Sequence, residues 1–328
     1  MSDLRVSIAD RLPLLKRRQW IMKSIRSFFD ARGYMEIETP YLVKTPGEEV
    51  HLHPFHSVYE TPQGEKYNLF LHTSPEFSMK KVMAEIHQPI FQLARVWRNQ
   101  EGGNIHSSEF TMLEWYRPNC SLGDLMDETE LLLKRLLPPY IDYNHYKVDF
   151  TKPFQRLTIQ QAFEIYVGID LLDLPEDVAL LAKAAKVDAR NNETWEDLFF
   201  RLLLEKVEPN IGRQNPTFLT HWPLSQAALA KKDPLDPRVA LRFELYAGGL
   251  ELANAFEELT DPLEQRKRFV YDRQRRSELY PEMKYWEMDE ELLLSLEKLP
   301  VCSGIAMGVD RLVMLATGVT NIQNILWV

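Results

Sequence analysis

The stretch VWRNQEGGNIHSSEFTMLEWY, residues 96–116, combines two apolar strand patterns with a polar loop that separates them. Residues 89–98 and 108–116 are rich in aromatic and aliphatic side chains, which predicts two strands. The loop between them, QEGGNIHSS, contains two adjacent glycines and no alternation of apolar residues, which is typical of a connection. The sequence therefore predicts an antiparallel pair of strands here.

The second strand of this hairpin combines chemically different side chains on one face. Because side chains alternate along a strand, that face carries Phe110, Met112, Glu114 and Tyr116. With Arg98 at the end of the partner strand, these groups could hold a nucleotide and an amine. An ordinary amphipathic hairpin with one salt bridge shows the same spacing and, on spacing alone, is the commoner explanation. His106 fits either a phosphate contact or a plain surface position.

The residues before the hairpin predict a helix and short strands. An amphipathic helix is predicted over about 12–32, ended by Gly33. A short strand follows from Tyr34 to Ile37 and is ended by Pro40. Further strands are predicted over 53–59 and 66–72.

Two predicted helix starts carry residues that could bind ligands. Ser74-Pro75-Glu76 predicts a helix with Ser74 as its cap and Pro75 at the first helical position. Glu76 is either a favourable first-turn glutamate or a ligand for an ammonium group. In GVDRLVML, Gly308 allows close backbone approach and Arg311 could clamp a phosphate. By itself, a local salt bridge is the better explanation of that second motif.

The chain after the hairpin completes an α+β pattern. A helix is predicted over 121–137, and residues 138–238 predict an insertion packed on the core, with helical stretches and one apolar strand. Neither a βαβ rhythm nor a glycine-rich phosphate loop occurs in the sequence. We therefore predict one domain over residues 1–328, an antiparallel β-sheet flanked by helices.

The stretch RFELYAGGLELANAFEEL, residues 242–259, is a possible metal site. If Ala247-Gly248 is the turn, Glu244 faces Glu251, and like charges directly opposite are destabilising. A divalent cation such as Mg²⁺ between them would reverse that effect. A register shift, or carboxylates that diverge into water, would remove the argument. If Glu251 and Glu258 enter one site, the strand must also contain a bulge.

Composition narrows the class of protein. Hydrophobic residues make up 45% and charged residues 27% of the 328 residues, which is typical of a soluble globular protein. The net charge of −9 makes tRNA an unlikely main partner, although a local basic patch can suffice. The sequence has neither an apolar run long enough to cross a membrane nor a signal peptide at its N-terminus. Cys120 and Cys302 lack metal-ligand spacing, so we expect reduced thiols in the cytoplasm.

Together these segments resemble the three signature motifs of the class II aminoacyl-tRNA synthetases. The helix and strand that end at Pro40 look like motif 1, residues 96–116 look like motif 2, and SGIAMGVDRLVML looks like motif 3. FELY with GLELANAFEEL, and TSPEFSMKK, are similar to the lysyl branch. The resemblance covers the chain end to end. It implies that family's catalytic fold, ATP and Mg²⁺ as cofactors, and a homodimer formed through motif 1.

Within that branch the chain most closely resembles the elongation factor P–(R)-β-lysine ligases, which are truncated relatives of lysyl-tRNA synthetases. Motif 1 starts almost at residue 12, which leaves no room for an anticodon-binding OB domain before it. EFTMLEWYRP and VEPNIGRQNPTFLTHWPLSQAALAK look like the core and insertion of these ligases. Ala306 stands where lysyl-tRNA synthetases are expected to have glycine. Its methyl group would narrow the pocket, which would suit a substrate whose amino group is shifted relative to that of lysine.

The resemblance implies a role for each matching residue, with Arg98 and Arg311 as the catalytic pair. The implied ATP-binding residues are Arg98, Asn99, Gln100, His106, Ser107, Phe110, Glu251, Leu252, Gly308 and Arg311. The implied substrate-binding residues are Ser74, Pro75, Glu76, Glu114, Tyr116, Asn254, Glu258 and Ala306. The implied metal ligands are Glu244 and Glu251. The implied reaction is adenylation of (R)-β-lysine or lysine, followed by transfer to a lysine side chain of elongation factor P.

The chain departs from the family pattern in motif 2. Gln100 stands where glutamate is usual, and it can accept a hydrogen bond from an adenine amino group, but without charge. Ser107-Ser108 replaces a common Asn-Pro pair. Two alternatives stay open. One is a lysyl-adenylate-forming enzyme that acts on tRNA or another acceptor, and the other is an inactive paralogue, against which the retained arginines and glutamates argue.

Overall fold

The computed structural model describes residues 7–327, which divide into two compact units. The first unit runs to Leu125 and resumes at Glu257, and the second is Met126–Phe256.

Along the chain the first elements are α1 (Ile8–Asp30), β1 (Met35–Glu36), β2 (Leu42–Val43), β3 (Phe55–Glu60), β4 (Lys66–Leu71), α2 (Glu76–Ile86), β5 (Ile90–Trp97) and β6 (Glu109–Pro118). Then follow α3 (Leu122–Leu136), β7 (Tyr140–Tyr143), β8 (Tyr146–Asp149), β9 (Gln155–Thr158), α4 (Ile159–Tyr166), α5 (Val178–Ala185), α6 (Trp195–Leu202) and β10 (Thr217–Pro223). The last are β11 (Val239–Ala247), β12 (Leu250–Glu257), α7 (Pro262–Leu279), α8 (Glu290–Leu296), β13 (Cys302–Gly308) and α9 (Val309–Thr317).

The first unit is built on the predicted hairpin. β5 and β6 pair antiparallel, with Arg95 opposite Thr111 and Trp97 opposite Glu109. β13 pairs antiparallel with β6 on the other side, and β1 pairs parallel with β5, so the strand order is β1-β5-β6-β13. A separate three-stranded sheet has the order β2-β4-β3.

Side chains alternate along this hairpin, so its two faces make different contacts. On one face, Phe29 of α1 stacks on Phe91 with ring centroids 4.8 Å apart and lies 5.2 Å from Trp115. All three are buried, and this aromatic contact fastens α1 to the sheet. The other face is left for Glu114 and Tyr116.

A buried ion pair ties α1, β6 and α9 together. Arg18 Nη1 lies 2.7 Å from Asp310 Oδ1, and its Nη2 donates to the hydroxyl of Thr111 at 2.8 Å. The Thr111 amide donates to the other Asp310 oxygen at 2.6 Å. Every charge in this network therefore has a partner, which is what allows it to be buried.

The second unit has its own strand order, β12-β11-β10-β9, in which β9 runs parallel to β10 and the other pairs are antiparallel. The core beside it contains Phe163, Phe199 and Trp222, with the first two rings stacked at 5.3 Å. The predicted insertion, residues 138–238, lies within the second unit, which extends beyond it at both ends. A single domain over 1–328 without an OB domain stays a prediction.

The turn between β11 and β12 differs from the predicted one. Ala247 pairs with Leu250, so the two turn residues are Gly248 and Gly249 rather than Ala247-Gly248. Both have positive φ, +63° and +77°. A tight hairpin turn with two such residues strongly favours glycine, which explains why alanine is excluded from it.

The predicted α+β fold class is confirmed, with sheets that are antiparallel apart from the parallel strands β1 and β9. Within residues 7–327, none of the helices combines the length and apolarity needed to cross a membrane. Residues 324–328, whose sequence predicts an apolar segment, lie within the described part of the chain except for Val328, and residues 1–6 also fall outside it.

The Arg18–Asp310 pair makes a prediction about stability. Replacing Asp310 with alanine leaves the Arg18 guanidinium and the Thr111 amide without this partner in a buried place. We expect the free energy of unfolding to fall by about 3–5 kcal/mol in urea titrations. The matched control is Glu36→Ala, which removes the exposed partner of Arg26 and should change the value by less than about 1 kcal/mol. Equal losses in the two variants would contradict the assigned role of the buried pair.

Candidate active site

Strands β6 and β13 build the floor of an acidic pocket in the first unit. Ala306 lies opposite Glu114 and Gly304 lies opposite Tyr116 in the strand register. A Cβ atom at Gly304 would lie 2.2 Å from the Tyr116 ring and 2.5 Å from Glu258 Oε1. Glycine is therefore required at this position to let the phenol and the carboxylate meet.

Helix α2 adds the third carboxylate. The structure corrects the predicted start: Pro75 is the N-cap residue and Glu76 the first helical residue. The Ser74 hydroxyl accepts from the Glu76 amide at 3.0 Å and donates to a Glu114 oxygen in a short hydrogen bond. The Tyr116 hydroxyl donates to the other Glu114 oxygen at 3.4 Å.

The pocket carboxylates are almost completely removed from water. Glu76, Glu114 and Glu258 are 8%, 1% and 2% exposed. Burying three carboxylates together is unfavourable unless cations or protons compensate for them. The pocket is therefore suited to bind positively charged groups.

Lys80 supplies one of those cations. Its ammonium lies 2.6 Å from Glu76 Oε1 and 2.6 Å from Glu258 Oε2, and the residue is 1% exposed. Burial by itself lowers the pKa of Lys80, but the two carboxylates outweigh that effect and raise it. Lys80 therefore stays charged and neutralises one of the three carboxylates.

Glu114 has no such cation in direct contact. Burial and the neighbouring Glu76 charge raise its pKa to about 8, against the stabilising hydrogen bond from Ser74. Burial also raises the pKa of Tyr116 well above its usual range, so the phenol stays protonated and can donate. Glu114 thus holds a proton in the empty pocket, and an incoming ammonium group would displace that proton.

Arg98 and Phe110 meet as predicted at the end of the hairpin. The Arg98 guanidinium carbon lies 5.2 Å from the centre of the Phe110 ring. Its contacts are long: 3.4 Å from Nε to the Thr73 carbonyl oxygen and 3.6 Å from Nη1 to Glu101 Oε1. The proximity of Glu101 to Arg98 was not predicted.

Arg311 and His106 also lie together. Arg311 Nη2 is 2.6 Å from His106 Nε2, and a Cβ atom added at Gly308 would lie 3.8 Å from the Arg311 side chain, an ordinary contact. The motif 2 loop between the strands is more open: Asn99 and Gln100 are exposed, and Gln100 has a positive φ of +65°. Ser107 is half-buried. Roles for these loop residues in ATP binding stay predictions.

The second unit places its predicted residues on one face of the β11–β12 hairpin. The predicted pairing of Glu244 with Glu251 is wrong, since Glu244 lies opposite Asn254 and Glu251 opposite Tyr246. The turn at Gly248-Gly249 places Glu251 opposite Tyr246, and a bulge at Leu252 adds a residue that places Asn254 opposite Glu244. A bulge in this strand was predicted. It brings Glu251 and Asn254 onto the face that carries Glu244.

Glu244 and Glu251 as ligands of a divalent cation stay a prediction. Glu244 is buried, accepts from Arg242 at 2.5 Å and from the Tyr246 hydroxyl at 2.5 Å, and has a pKa raised to about 7. Burial is the main cause of that shift, and the Glu251 charge contributes to it. Groups of three or more metal-ligating side chains do not occur in the described part of the chain. Mg²⁺ commonly takes one or two carboxylates and completes its shell with phosphates and water.

Two residues of the pocket were missed from sequence. Lys80 was read as part of the TSPEFSMKK motif without a role, although its spacing of four from Glu76 on a helix is a signal for an ion pair. Glu49 was not considered. It lies within electrostatic range of Glu76 and Arg98.

Comparison with known proteins gives a consistent result. The family model for class II tRNA synthetases (D, K and N) matches residues 4–327. The chain is also similar to proteins named elongation factor P–(R)-β-lysine ligase from Salmonella paratyphi B (strain ATCC BAA-1250 / SPB7), Salmonella heidelberg (strain SL476) and Klebsiella pneumoniae (strain 342). Each is 42% identical over 322 residues, which cover 96% of this chain and 94% of the relative.

The raised pKa of Glu114 predicts how stability depends on pH. In the folded protein this carboxyl keeps its proton up to about pH 8, whereas the unfolded chain loses it near 4.5. The folded state therefore binds more protons in that window, so the Glu114 contribution to stability falls as pH rises. Glu114→Gln should thus gain stability relative to the wild type between pH 5 and pH 8, on the order of a few kcal/mol.

Urea unfolding of the ligand-free protein at several pH values measures this gain. Glu38→Gln, at an exposed position, is the matched control and should follow the wild-type curve. A constant difference between Glu114→Gln and wild type across the pH range would contradict the assignment.

Proposed function

This chain belongs to the class II tRNA synthetase family and is an ATP-dependent ligase; from that premise we propose that it activates (R)-β-lysine and transfers it to a lysine side chain of elongation factor P. The names of its relatives support this substrate and acceptor, since the similarity extends over 94% of their length. The structural observation that carries the proposal is the buried pocket of Glu76, Glu114 and Glu258 in the unit that also contains Arg98.

The first step forms an adenylate. A carboxylate oxygen of β-lysine attacks the α-phosphorus of ATP, a new P–O bond forms, and pyrophosphate leaves. A carboxylate is already a nucleophile, so the step needs positioning and charge stabilisation rather than a general base. Arg98 suits this task because its present contacts are long and its guanidinium can bind carboxylate and α-phosphate together.

The diamine is recognised by charge. Its distal ammonium binds Glu114, with Tyr116 and Glu258 beside it, and its proximal ammonium binds Glu76. Each of these contacts pairs a substrate ammonium group with a buried carboxylate. Without the substrate, that carboxylate has to be protonated or neutralised by a group of the protein. Asn254 assists at the substrate carboxylate.

ATP binds through groups at the end of the hairpin and on α9. Phe110 stacks on the adenine, and Arg311 with His106 holds the distal phosphates. Glu244 and Glu251 hold Mg²⁺, which neutralises phosphate charge when it is bound.

The second step transfers the β-lysyl group. The unprotonated amino group of the acceptor lysine attacks the carbonyl carbon of the adenylate, an amide bond forms, and AMP leaves while the amine loses a proton. The acceptor is a translation factor, so we place the reaction in the cytoplasm. We also propose that the enzyme forms a homodimer through α1 and β1. tRNA is not expected to be the acceptor.

Mass spectrometry of elongation factor P tests the acceptor and the amino acid together. After incubation with the enzyme, ATP and (R)-β-lysine, we expect a mass increase of one lysyl residue on one lysine side chain. (S)-β-lysine and L-lysine should react more slowly. Elongation factor P in which that lysine is replaced by arginine is the control and should remain unmodified.

Aminoacylation of tRNA measured in parallel separates the rival function. If tRNA becomes charged and elongation factor P does not, the acceptor has been assigned wrongly. If pyrophosphate exchange occurs with none of the lysine isomers, the ligase proposal itself fails.

Ala306 tests the position of the proximal amino group. Ala306 lies opposite Glu114 and on the same face as Gly304, so its methyl group narrows the pocket. Ala306→Gly should raise kcat/KM for L-lysine relative to (R)-β-lysine by about tenfold, since one methyl group in a pocket is worth about that factor. Pyrophosphate exchange with the two amino acids gives the ratio. An unchanged ratio would mean that this methyl group does not discriminate between them.

A further inference from the structure

The loop over residues 45–50 is held rigidly beside the acidic pocket. The Thr73 hydroxyl donates to the Pro46 carbonyl oxygen at 2.9 Å. Two arginines of α7 also hold the loop. Arg273 Nη1 lies 2.9 Å from a Glu48 carboxylate oxygen, and Arg276 donates to the Glu49 carbonyl oxygen in a short hydrogen bond. The backbone is therefore anchored on both sides, and the Glu49 side chain is delivered to one place.

One oxygen of the Glu49 carboxylate is enclosed without a matching donor. This atom, Oε2, is shielded from solvent and has no hydrogen-bond partner among the described residues. Burial and the Glu76 charge raise the pKa of this carboxyl, whereas a hydrogen bond from its own backbone amide and the charges of Arg98 and Arg276 oppose the shift. A buried acceptor that faces a second carboxylate is unfavourable in the empty protein. An added cation would reverse that cost.

Contacts of Thr73 place Glu49 near Arg98. The Thr73 carbonyl oxygen accepts from Arg98 Nε at 3.4 Å, and a Cβ atom at Gly47 would lie 3.1 Å from the Thr73 hydroxyl oxygen and 2.5 Å from Glu49 Oε2. Glu114 instead accepts from Ser74, and Lys80 bridges Glu76 and Glu258. Glu49 is at the Arg98 end, where the proposed function places the substrate carboxylate, and Glu114 is at the other end.

We propose that Glu49, together with Glu76, binds the ammonium group of the substrate that lies nearest to its carboxylate. This inference rests on the proposed function only in that Arg98 marks the carboxylate end. One oxygen of Glu76 is already used by Lys80, so Glu76 alone offers an incomplete partner to a group with three N–H donors. Glu49 supplies the missing acceptor and makes the site specific for a diamino acid over a monoamine.

The rival explanation is that Glu49 only holds Arg98 in place. In that case its loss would weaken ATP use and the activation of every amino acid alike. It would also lower stability, because a favourable ion pair would be lost. If Glu49 binds the proximal ammonium, its loss should affect only amino acids that carry that group and should not lower stability. One variant therefore separates the two explanations.

The variant is Glu49→Gln, which keeps the size of the side chain and removes its charge. The substrates are (R)-β-lysine and 6-aminohexanoate, which has a carboxylate and a distal ammonium but no proximal one. We expect the affinity for (R)-β-lysine, measured by calorimetry without ATP, to fall about tenfold or more. The affinity for 6-aminohexanoate and the KM for ATP should change less than about threefold, and the unfolding temperature of the empty protein should not fall.

Glu114→Gln is the matched control, because the distal ammonium is present in both ligands and their affinities should fall together. Equal losses for both ligands in Glu49→Gln, a raised KM for ATP, or a lower unfolding temperature would each overturn the inference. If the wild type binds neither ligand, the inference is also wrong. If it binds (R)-β-lysine selectively but catalyses no pyrophosphate exchange, the ligase proposal fails and the assignment of Glu49 stands.

Discussion

The unfavourable burial of like charges is the constraint on which the first unit depends. Glu76, Glu114 and Glu258 are almost fully removed from water, and a single ammonium, that of Lys80, lies between two of them. Carboxylates in such a place must be protonated, paired within the protein or paired with a ligand. The pocket uses all three solutions: Glu114 holds a proton, Lys80 supplies a pair, and the remaining negative charge favours a dicationic substrate. The proposed selectivity for a diamine thus rests on electrostatics rather than on shape alone.

The scaffold keeps these charges in position through contacts that are themselves buried and paired. Asp310 binds Arg18 and the Thr111 amide, and the residues next to Asp310 and Thr111 are Arg311 and Phe110. The network therefore fixes the backbone beside two residues proposed to bind ATP. On the pocket side, Gly304 leaves room for Tyr116 and Glu258 to approach each other. Stability and binding geometry consequently depend on the same small set of strands, so changes near the pocket affect both.

Much of the architecture could be predicted, because local signals are strong where apolar alternation or helical periodicity is long. The hairpin over residues 89–116 and helix α3 appear where the patterns predicted them. The errors arose where one residue decides the outcome. The turn at Gly248-Gly249 and the bulge at Leu252 move the pairing of Glu244, and strand periodicity carries no information about either. Pro75 became the helix cap for a similar reason, since boundaries depend on single contacts.

The sequence by itself determined the fold class, the family resemblance and most of the chemically important residue types, because motifs and periodicities are local properties of the chain. Only the tertiary structure decided which charges meet. Lys80 is far from Glu258 along the chain, yet the two form an ion pair, and Glu49 is far from Arg98, yet the Arg98 charge lowers the pKa of Glu49. Electrostatic energy depends on distance and on exclusion of water, and both are set by packing between elements that are remote in sequence. The protonated state of Glu114 and the anchoring of the Glu49 loop are therefore properties of the fold, which no pattern of residues displays.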